Sequence, residues 1–111
     1  MILLTVTPGE EVMESLSRQL AEQDVRDGAI VSLIGAIDSC RISNMPKTDA
    51  SDNIFSEYKQ PFELSGTGEI KDGALHIHCV LGTDDADRAL AGHLHEARVE
   101  HWFVNAYVIP L

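Results

Sequence analysis

Apolar residues recur along this chain in two rhythms. Ile2 to Val6 is a short, almost unbroken apolar run, the pattern of a strand covered on both faces. Thr7-Pro8-Gly9-Glu10 then combines a capping hydroxyl, a proline suited to the first helical position and a glutamate three residues after the cap. Behind it Val12, Met13, Leu16, Leu20 and Ala21 follow at helical spacing, with Glu11, Glu14, Ser17, Arg18 and Glu22 on the other side. This predicts an amphipathic helix running from the capping box to Gln23 or Asp24, with one face laid on a sheet.

Beyond the helix the rhythm shortens. Ala29 to Ile34 is rich in β-branched residues, Gly35 predicts a bulge or a close backbone approach, and Ala36 to Ile42 resumes the strand. Ser43 to Ser56 contains Pro46, Asp49, Ser51, Asp52 and Asn53 and is too poor in apolar residues to pack, so it reads as a mobile loop. Tyr58 to Ile70 reads as a strand interrupted by Gly66 and Gly68, Lys71-Asp72-Gly73 as a tight hairpin, and Ala74 to Leu81 as the returning strand. Gly82 to Asp87 is an acidic turn, Arg88 to Glu96 irregular or briefly helical, and Val99 to Ile109 a final strand.

With no internal repeat and no linker, the pattern predicts one domain over residues 1–111, of α+β class, a mainly antiparallel sheet with one principal helix packed on it. The final strand adds a constraint. Trp102, Phe103, Val104, Ala106, Tyr107, Val108 and Ile109 are apolar on both alternating faces. One helix covers only one side of a sheet, so a second apolar face implies a neighbouring subunit and a homo-oligomer.

Charge narrows the partners. Eighteen acidic residues against eight basic ones give a net charge of -10, a surface that repels a row of phosphates, so nucleic acid is an unlikely partner. Cys40 and Cys79 lie inside apolar stretches and read as buried free thiols. The first residues lack the basic flank and apolar length of a signal peptide, and no stretch approaches the ~20 residues that span a bilayer. A soluble, cytoplasmic protein without membrane contact is expected.

The candidate chemistry lies in the histidines, all five of which fall between His76 and His101. On an extended strand His76 and His78 share one face with Cα atoms about 6.5 to 7 Å apart. Leu75, Ile77, Cys79 and Leu81 then belong to the opposite, core-facing side. A third imidazole is available from Gly92-His93-Leu94-His95, where the glycine is expected to turn the backbone and bring a loop histidine toward the strand. Three histidine nitrogens leave a tetrahedral zinc with one open position, the pattern of catalytic sites, and other divalent metals fit the same donors. The plainer reading is a pair of half-exposed strand histidines facing water, and the clustering of five in one third of the chain argues against it.

The neighbouring residues are ambiguous. His95 reads as a donor behind the ligands or as a surface residue, and His101, beside Trp102, as packed in the final strand. Cys79 has the wrong strand parity to join the histidines. Glu63, an acid inside the apolar segment Pro61-Phe62-Glu63-Leu64, is the candidate catalytic residue: it would orient a ligand or act as general base on a metal-bound water, unless it is simply solvated. Arg41 would bind an anion or pair with an acid.

Taken together, Leu4-Thr-Val-Thr-Pro-Gly-Glu-Glu, Ile34-Gly-Ala-Ile-Asp-Ser-Cys, Phe62-Glu-Leu-Ser-Gly-Thr-Gly and His76-Ile-His-Cys-Val-Leu with the later Ala91-Gly-His-Leu resemble the plant and prokaryote conserved (PPC) domain over nearly the whole chain. The resemblance implies an α+β domain assembled as a homotrimer, with His76, His78 and His93 as metal ligands. Two departures stand out. Ala91 occupies the first position of the family's Gly-Gly-His-Leu, and the basic AT-hook that plant members carry beside the domain is missing from this sequence, so the family's DNA-binding label gains no support from these residues. The reading that follows is a homotrimeric, zinc-binding domain that binds or transforms a small molecule. Its alternative is a DNA-associated or protein-binding regulatory module in which the histidines are structural.

Overall fold

The computed structural model describes residues 1–111. Buried and exposed side chains alternate along strands such as Phe62–Lys71 and Ala74–Gly82, and eight strands join in one antiparallel sheet. The elements are β1 (Ile2–Val6), α1 (Val12–Glu22), β2 (Gly28–Ile37), β3 (Ser39–Asn44), β4 (Ile54–Tyr58), β5 (Phe62–Lys71), β6 (Ala74–Gly82), β7 (Ala89–Arg98) and β8 (Val104–Pro110). Their order across the sheet is β1-β8-β2-β5-β6-β7-β3-β4. The expected antiparallel sheet is present. The expected principal helix is one element of 11 residues, so the fold is mostly sheet and the α+β label fits it loosely.

Val12, Leu16 and Leu20 of α1 are buried with one face of the sheet, in a core that takes Leu4, Ile30, Ile77, Leu81, Leu94, Val104 and their neighbours. The helix packs on β1, β6 and β7, elements distant in sheet order, so the sheet must curve around it. Cys40 and Cys79 are free and buried in this core, and desolvation pushes both thiols up to about 11. No helix is long and apolar enough to cross a membrane.

The helix begins later than the capping box predicts. Gly9 has φ of 93°, outside any helix. The Thr7 N–H and hydroxyl both donate to Glu10 Oε1 at 2.8 Å, as a capping-box glutamate should accept, but the segment closes a turn instead. Glu11 is the true N-cap, its carboxylate accepting from the N–H groups of Met13 at 3.0 Å and Glu14 at 2.9 Å. It also accepts from the Ala97 N–H at 2.9 Å, while main-chain bonds join Gly9 and Glu10 to Val99. Docking on the end of β7 therefore decides where the helix starts.

Three other segments depart from the pattern. The polar loop is shorter than 43–56, because β3 continues to Asn44 and Ile54 to Tyr58 form an edge strand paired with it. Ile54 and Phe55 are about half exposed, so β4 is held by main-chain pairing that composition does not reveal. The segment Arg88 to Glu96, expected to be irregular or briefly helical, falls almost wholly in β7 (Ala89–Arg98), which lies between β6 and β3. Its sequence contains no β-branched residue, and a bulge at His95, where Arg41 pairs with Glu96 but Ile42 pairs with Leu94, breaks the alternation that would betray a strand. The final strand starts at Val104 rather than Val99.

Along β2 the extra residue is Val31, since Ile30 pairs with Val108 and Ser32 with Tyr107. Gly35 marks a close approach instead, its missing side chain leaving room for the Phe103 carbonyl. In β8, Val104, Ala106 and Val108 are buried, whereas Tyr107 is half-buried and Ile109 exposed on the opposite face. Leu3, Val31, Ile34 and Val80 are exposed there too, so the second apolar face is real and nothing in this chain covers it.

Replacing Glu11 with alanine removes a cap and a tertiary acceptor at once. Thermal unfolding should show a loss of about 1–2 kcal/mol, larger than for Thr7→Ala; equal losses would mean that the helix is anchored at the earlier box after all.

Candidate metal centre

Three histidines converge on the uncovered face. His76 and His78 point outward from β6, while Ile77, Cys79 and Leu81 between and beyond them are buried in the core, as the strand parity requires. His93 comes from β7, where it stands directly opposite His78 in the register. It is thus a strand residue, not the loop residue expected: Gly92 turns no corner and pairs with Cys79. Ala91, at the family's glycine position, pairs with Val80 and has no left-handed backbone angle, so its departure leaves the local geometry intact.

The ligand atoms of His76, His78 and His93 all lie within 4.8 Å of one another. His76 Nε2 and His78 Nε2 are 3.1 Å apart, and the His76 ring centroid lies 4.8 Å from that of His93. Nitrogens bound at 2.0–2.1 Å to a tetrahedral ion stand roughly 3.3 Å from each other, so small rotations of these rings suffice to share one ion. The donor set therefore fits a divalent metal such as zinc and leaves a coordination position facing outward.

The surroundings hold the rings in place. Glu69 is the register partner of His76 on β5, and its Oε1 lies 3.4 Å from His76 Nδ1. That is the usual place of a carboxylate behind a metal-bound histidine. Sequence reasoning missed Glu69, and the only signal was its position three residues before Asp72 of the Asp-Gly turn, which places it opposite His76 once the hairpin register is known. His95 stacks on His93 with centroids 4.5 Å apart and planes 6° from parallel. The bulge places it there, and its Nε2 lies 2.7 Å from the hydroxyl of buried Ser43. Phe55 and Arg41 continue the column, with Arg41 4.0 Å above the Phe55 ring and 3.5 Å from Glu57, so the acid-pairing reading of Arg41 is the one observed.

Burial holds His93 below the usual histidine range, and the neighbouring His95, His76 and His78 add to the effect. Burial likewise lowers His95, with Arg41 contributing. Both rings are accordingly neutral at neutral pH, and neutral imidazole is the form that ligates a metal.

Two expected participants stand elsewhere. Glu63 is exposed on the same face of β5, but it lies four residues from Thr67, the partner of His78, or about 13 Å along the strand. It borders a separate cleft with Ile34, Trp102 and Phe103 and is too far from the three histidines of its own chain to take a proton there. His101 is not packed in a strand. It is exposed in the turn before β8 and its Nδ1 lies 2.7 Å from Asp38 Oδ1. Burial raises the Asp38 carboxyl, but hydrogen bonds from His101 and from the N–H groups of Glu100 and His101 outweigh it and leave the group below its ordinary range.

The glycines of β5 set the distance at which β6 carries its histidines. A Cβ at Gly66 would stand 2.4 Å from the His78 carbonyl oxygen, and one at Gly68 2.5 Å from that of His76. These glycines therefore let the two strands approach where the ligands are mounted, rather than interrupting the strand.

The fold and the site define a class: a small antiparallel sheet protein with one helix on its core face and a three-histidine cluster on the open one. The chain belongs to the Plants and Prokaryotes Conserved (PCC) domain family, which it matches over residues 1–110. Among solved structures it is similar to a metal-containing protein from Archaeoglobus fulgidus, at 30% identity with a TM-score of 0.78, covering 99% of this chain and 78% of that one. A plant- and prokaryote-conserved protein from Pyrococcus horikoshii is similar at 22% identity and TM-score 0.75, covering 99% and 79%. A proposed DNA-binding protein from Bacteroides thetaiotaomicron shares the fold at 22% identity and TM-score 0.79, covering 97% and 76%. No curated protein matches the sequence.

If the glycines set the spacing of β5 and β6, Gly68→Ala should destabilise the fold by about 1–3 kcal/mol through a forced shift of the strand. Ser65→Ala, at an exposed position of the same strand, should be nearly neutral. Denaturant titration of the pair separates them, and equal stabilities would show that the close approach is unimportant.

Proposed function

We propose that this chain binds a divalent metal, zinc in the first instance, through His76, His78 and His93 and presents its open coordination position to a small molecule. The observation that carries the reading is the convergence of the three imidazoles within 4.8 Å. It is supported by the carboxylate of Glu69 behind His76, by the neutral state of His93, and by likeness at 30% identity to a metal-containing protein. A zinc ion in such a site supplies a Lewis acid to a bound oxygen. The chain's own part is to hold three imidazole donors on two paired strands and to leave the fourth position accessible. Glu63 does not serve as base within one chain in this proposal.

The same reading includes a homotrimer built on the uncovered face of the sheet. Leu3, Val31, Ile34, Val80 and Ile109 are exposed there at 39–52%, an apolar surface that a lone domain rarely leaves in water. A regulatory module that binds DNA is the weaker reading, because a net charge of -10 opposes contact with phosphates.

Protein purified without a histidine tag should carry about one metal equivalent per chain by elemental analysis, as three-histidine sites do. The double change His76→Ala, His78→Ala should remove it, and undiminished metal would place the ion elsewhere. Protons compete with the metal for each imidazole. Acidification should therefore release the ion, and since His93 is held low, the midpoint should fall below the ordinary histidine value of about 6.5.

Light scattering should give a mass about three times the 12.2 kDa of the chain. Ile34→Glu should shift that mass toward the monomer while leaving the core, and so the far-ultraviolet spectrum, unaltered.

A further inference from the structure

The candidate ligands are not all held alike. His76 has the Glu69 carboxylate behind its Nδ1, whereas neither ring nitrogen of His93 has a hydrogen-bond partner within the protein. An imidazole nitrogen binds an ion along a lone pair that lies in the ring plane, and the torsion that turns this plane has broad, soft preferences. A ligand without a hydrogen bond behind it therefore needs another means of holding its plane. The structure supplies a second ring. His95 lies parallel to His93, with planes 6° apart and centroids separated by 4.5 Å.

His95 is itself anchored from several sides. Phe55, Ser43, His93 and His78 are successive register partners, a single row that crosses β4, β3, β7 and β6. The bulge of β7 inserts His95 beside this row. There its Nε2 lies 2.7 Å from the hydroxyl of buried Ser43, and Phe55 packs against it with ring centroids 5.0 Å apart. Arg41 in turn covers the Phe55 ring. The same contacts keep His95 out of the ligand set. An ion in the plane of His93 stands off the parallel plane of His95, and Nε2 of His95 is already engaged by Ser43. The ligand atoms that gather within 4.8 Å of one another belong to His76, His78 and His93.

From this arrangement we infer that His95 is a positioning residue of the metal centre: it binds no ion itself and fixes the plane in which His93 offers its nitrogen. Ser43 and Phe55 hold it in that role. The inference rests on the metal reading of His76, His78 and His93 and extends it to a residue behind the ligands. Stacking makes a demand that a hydrogen bond would not. What His93 needs from position 95 is a flat ring, so an aromatic hydrocarbon serves there, whereas a side chain that keeps a polar group but no ring does not. The stack is formed within one chain, and it acts in the same way whether water or a neighbouring subunit covers the outer face.

The experiment measures zinc affinity of the full chain by competition with a chromogenic chelator, and the visible bands of the cobalt(II)-loaded chain, which report coordination geometry. Urea titration of each metal-free variant runs beside them as a control for folding. His95→Ala and His95→Gln should each weaken zinc about tenfold and alter the cobalt bands, the usual cost of losing a group that orients a ligand. His95→Phe should stay within about threefold of the original chain and keep its bands, because the ring is retained. Gln preserves a polar partner for Ser43, so it tests the ring even if the alanine variant fails to fold. A role confined to folding would lower stability in urea while leaving zinc affinity and the cobalt bands of the folded variants unmoved, and that result overturns the proposal with the metal site standing. So does His95→Phe that binds as weakly as His95→Ala, which would give position 95 a role through its nitrogen. An original chain that takes up neither zinc nor cobalt sinks the metal reading and this inference together.

Discussion

A sheet has two faces, and this chain supplies one helix. The apolar side chains of α1 are spent on the face carrying Leu4, Ile30, Ile77, Leu81 and Val104, which leaves the other face in water. Strand parity then dictates what that face presents. The alternation that sends Ile77, Cys79 and Leu81 into the core sends His76, His78 and Val80 outward. The candidate metal centre and the exposed apolar patch are both consequences of this single asymmetry, and a slip of one residue in β6 would bury the histidines.

Within that frame, position on the open face is set by irregularities of the sheet. The bulge at His95 lets β7 lay two imidazoles side by side, with His93 toward β6 and His95 stacked behind it. The bulge at Val31 inserts one residue into β2 and leaves Val31 exposed. Glycines at 66 and 68 draw β5 close to β6, so that Glu69 and Thr67 stand beside His76 and His78. Each device acts on the backbone, yet each is read out as the placement of a side chain that can bind.

Electrostatics divides the surface into two regions. Acidic residues outnumber basic ones by eighteen to eight, while the cluster is built from three imidazoles, of which His93 is held below the ordinary histidine range by burial. A divalent ion would then be the dominant charge of its surroundings, with Glu69 as the nearest compensating group seen behind a ligand. Such an arrangement keeps the ion's influence directed at whatever occupies the open position.

Much of this architecture was legible in the one-dimensional pattern. Ile2 to Val6, the amphipathic face of the helix, the Asp72-Gly73 hairpin and the outward pair His76 and His78 all follow from local rules of period and turn chemistry, which need only a few neighbouring residues. The antiparallel sheet and the uncovered second face followed from the same patterns. What the linear chain did not display depended on partners far away in sequence. The helix start moved because Glu11 is held by Ala97; β7 formed from residues with weak strand preference because β6 and β3 offered main-chain partners on both sides; and β4 emerged from a polar segment at the edge. Glu69 gained its place behind His76, and Glu63 its distance from the site, only when register was established. Period and capping are properties of contiguous residues, whereas register, bulges and strand edges are decided by hydrogen bonds between segments that the sequence alone does not bring together.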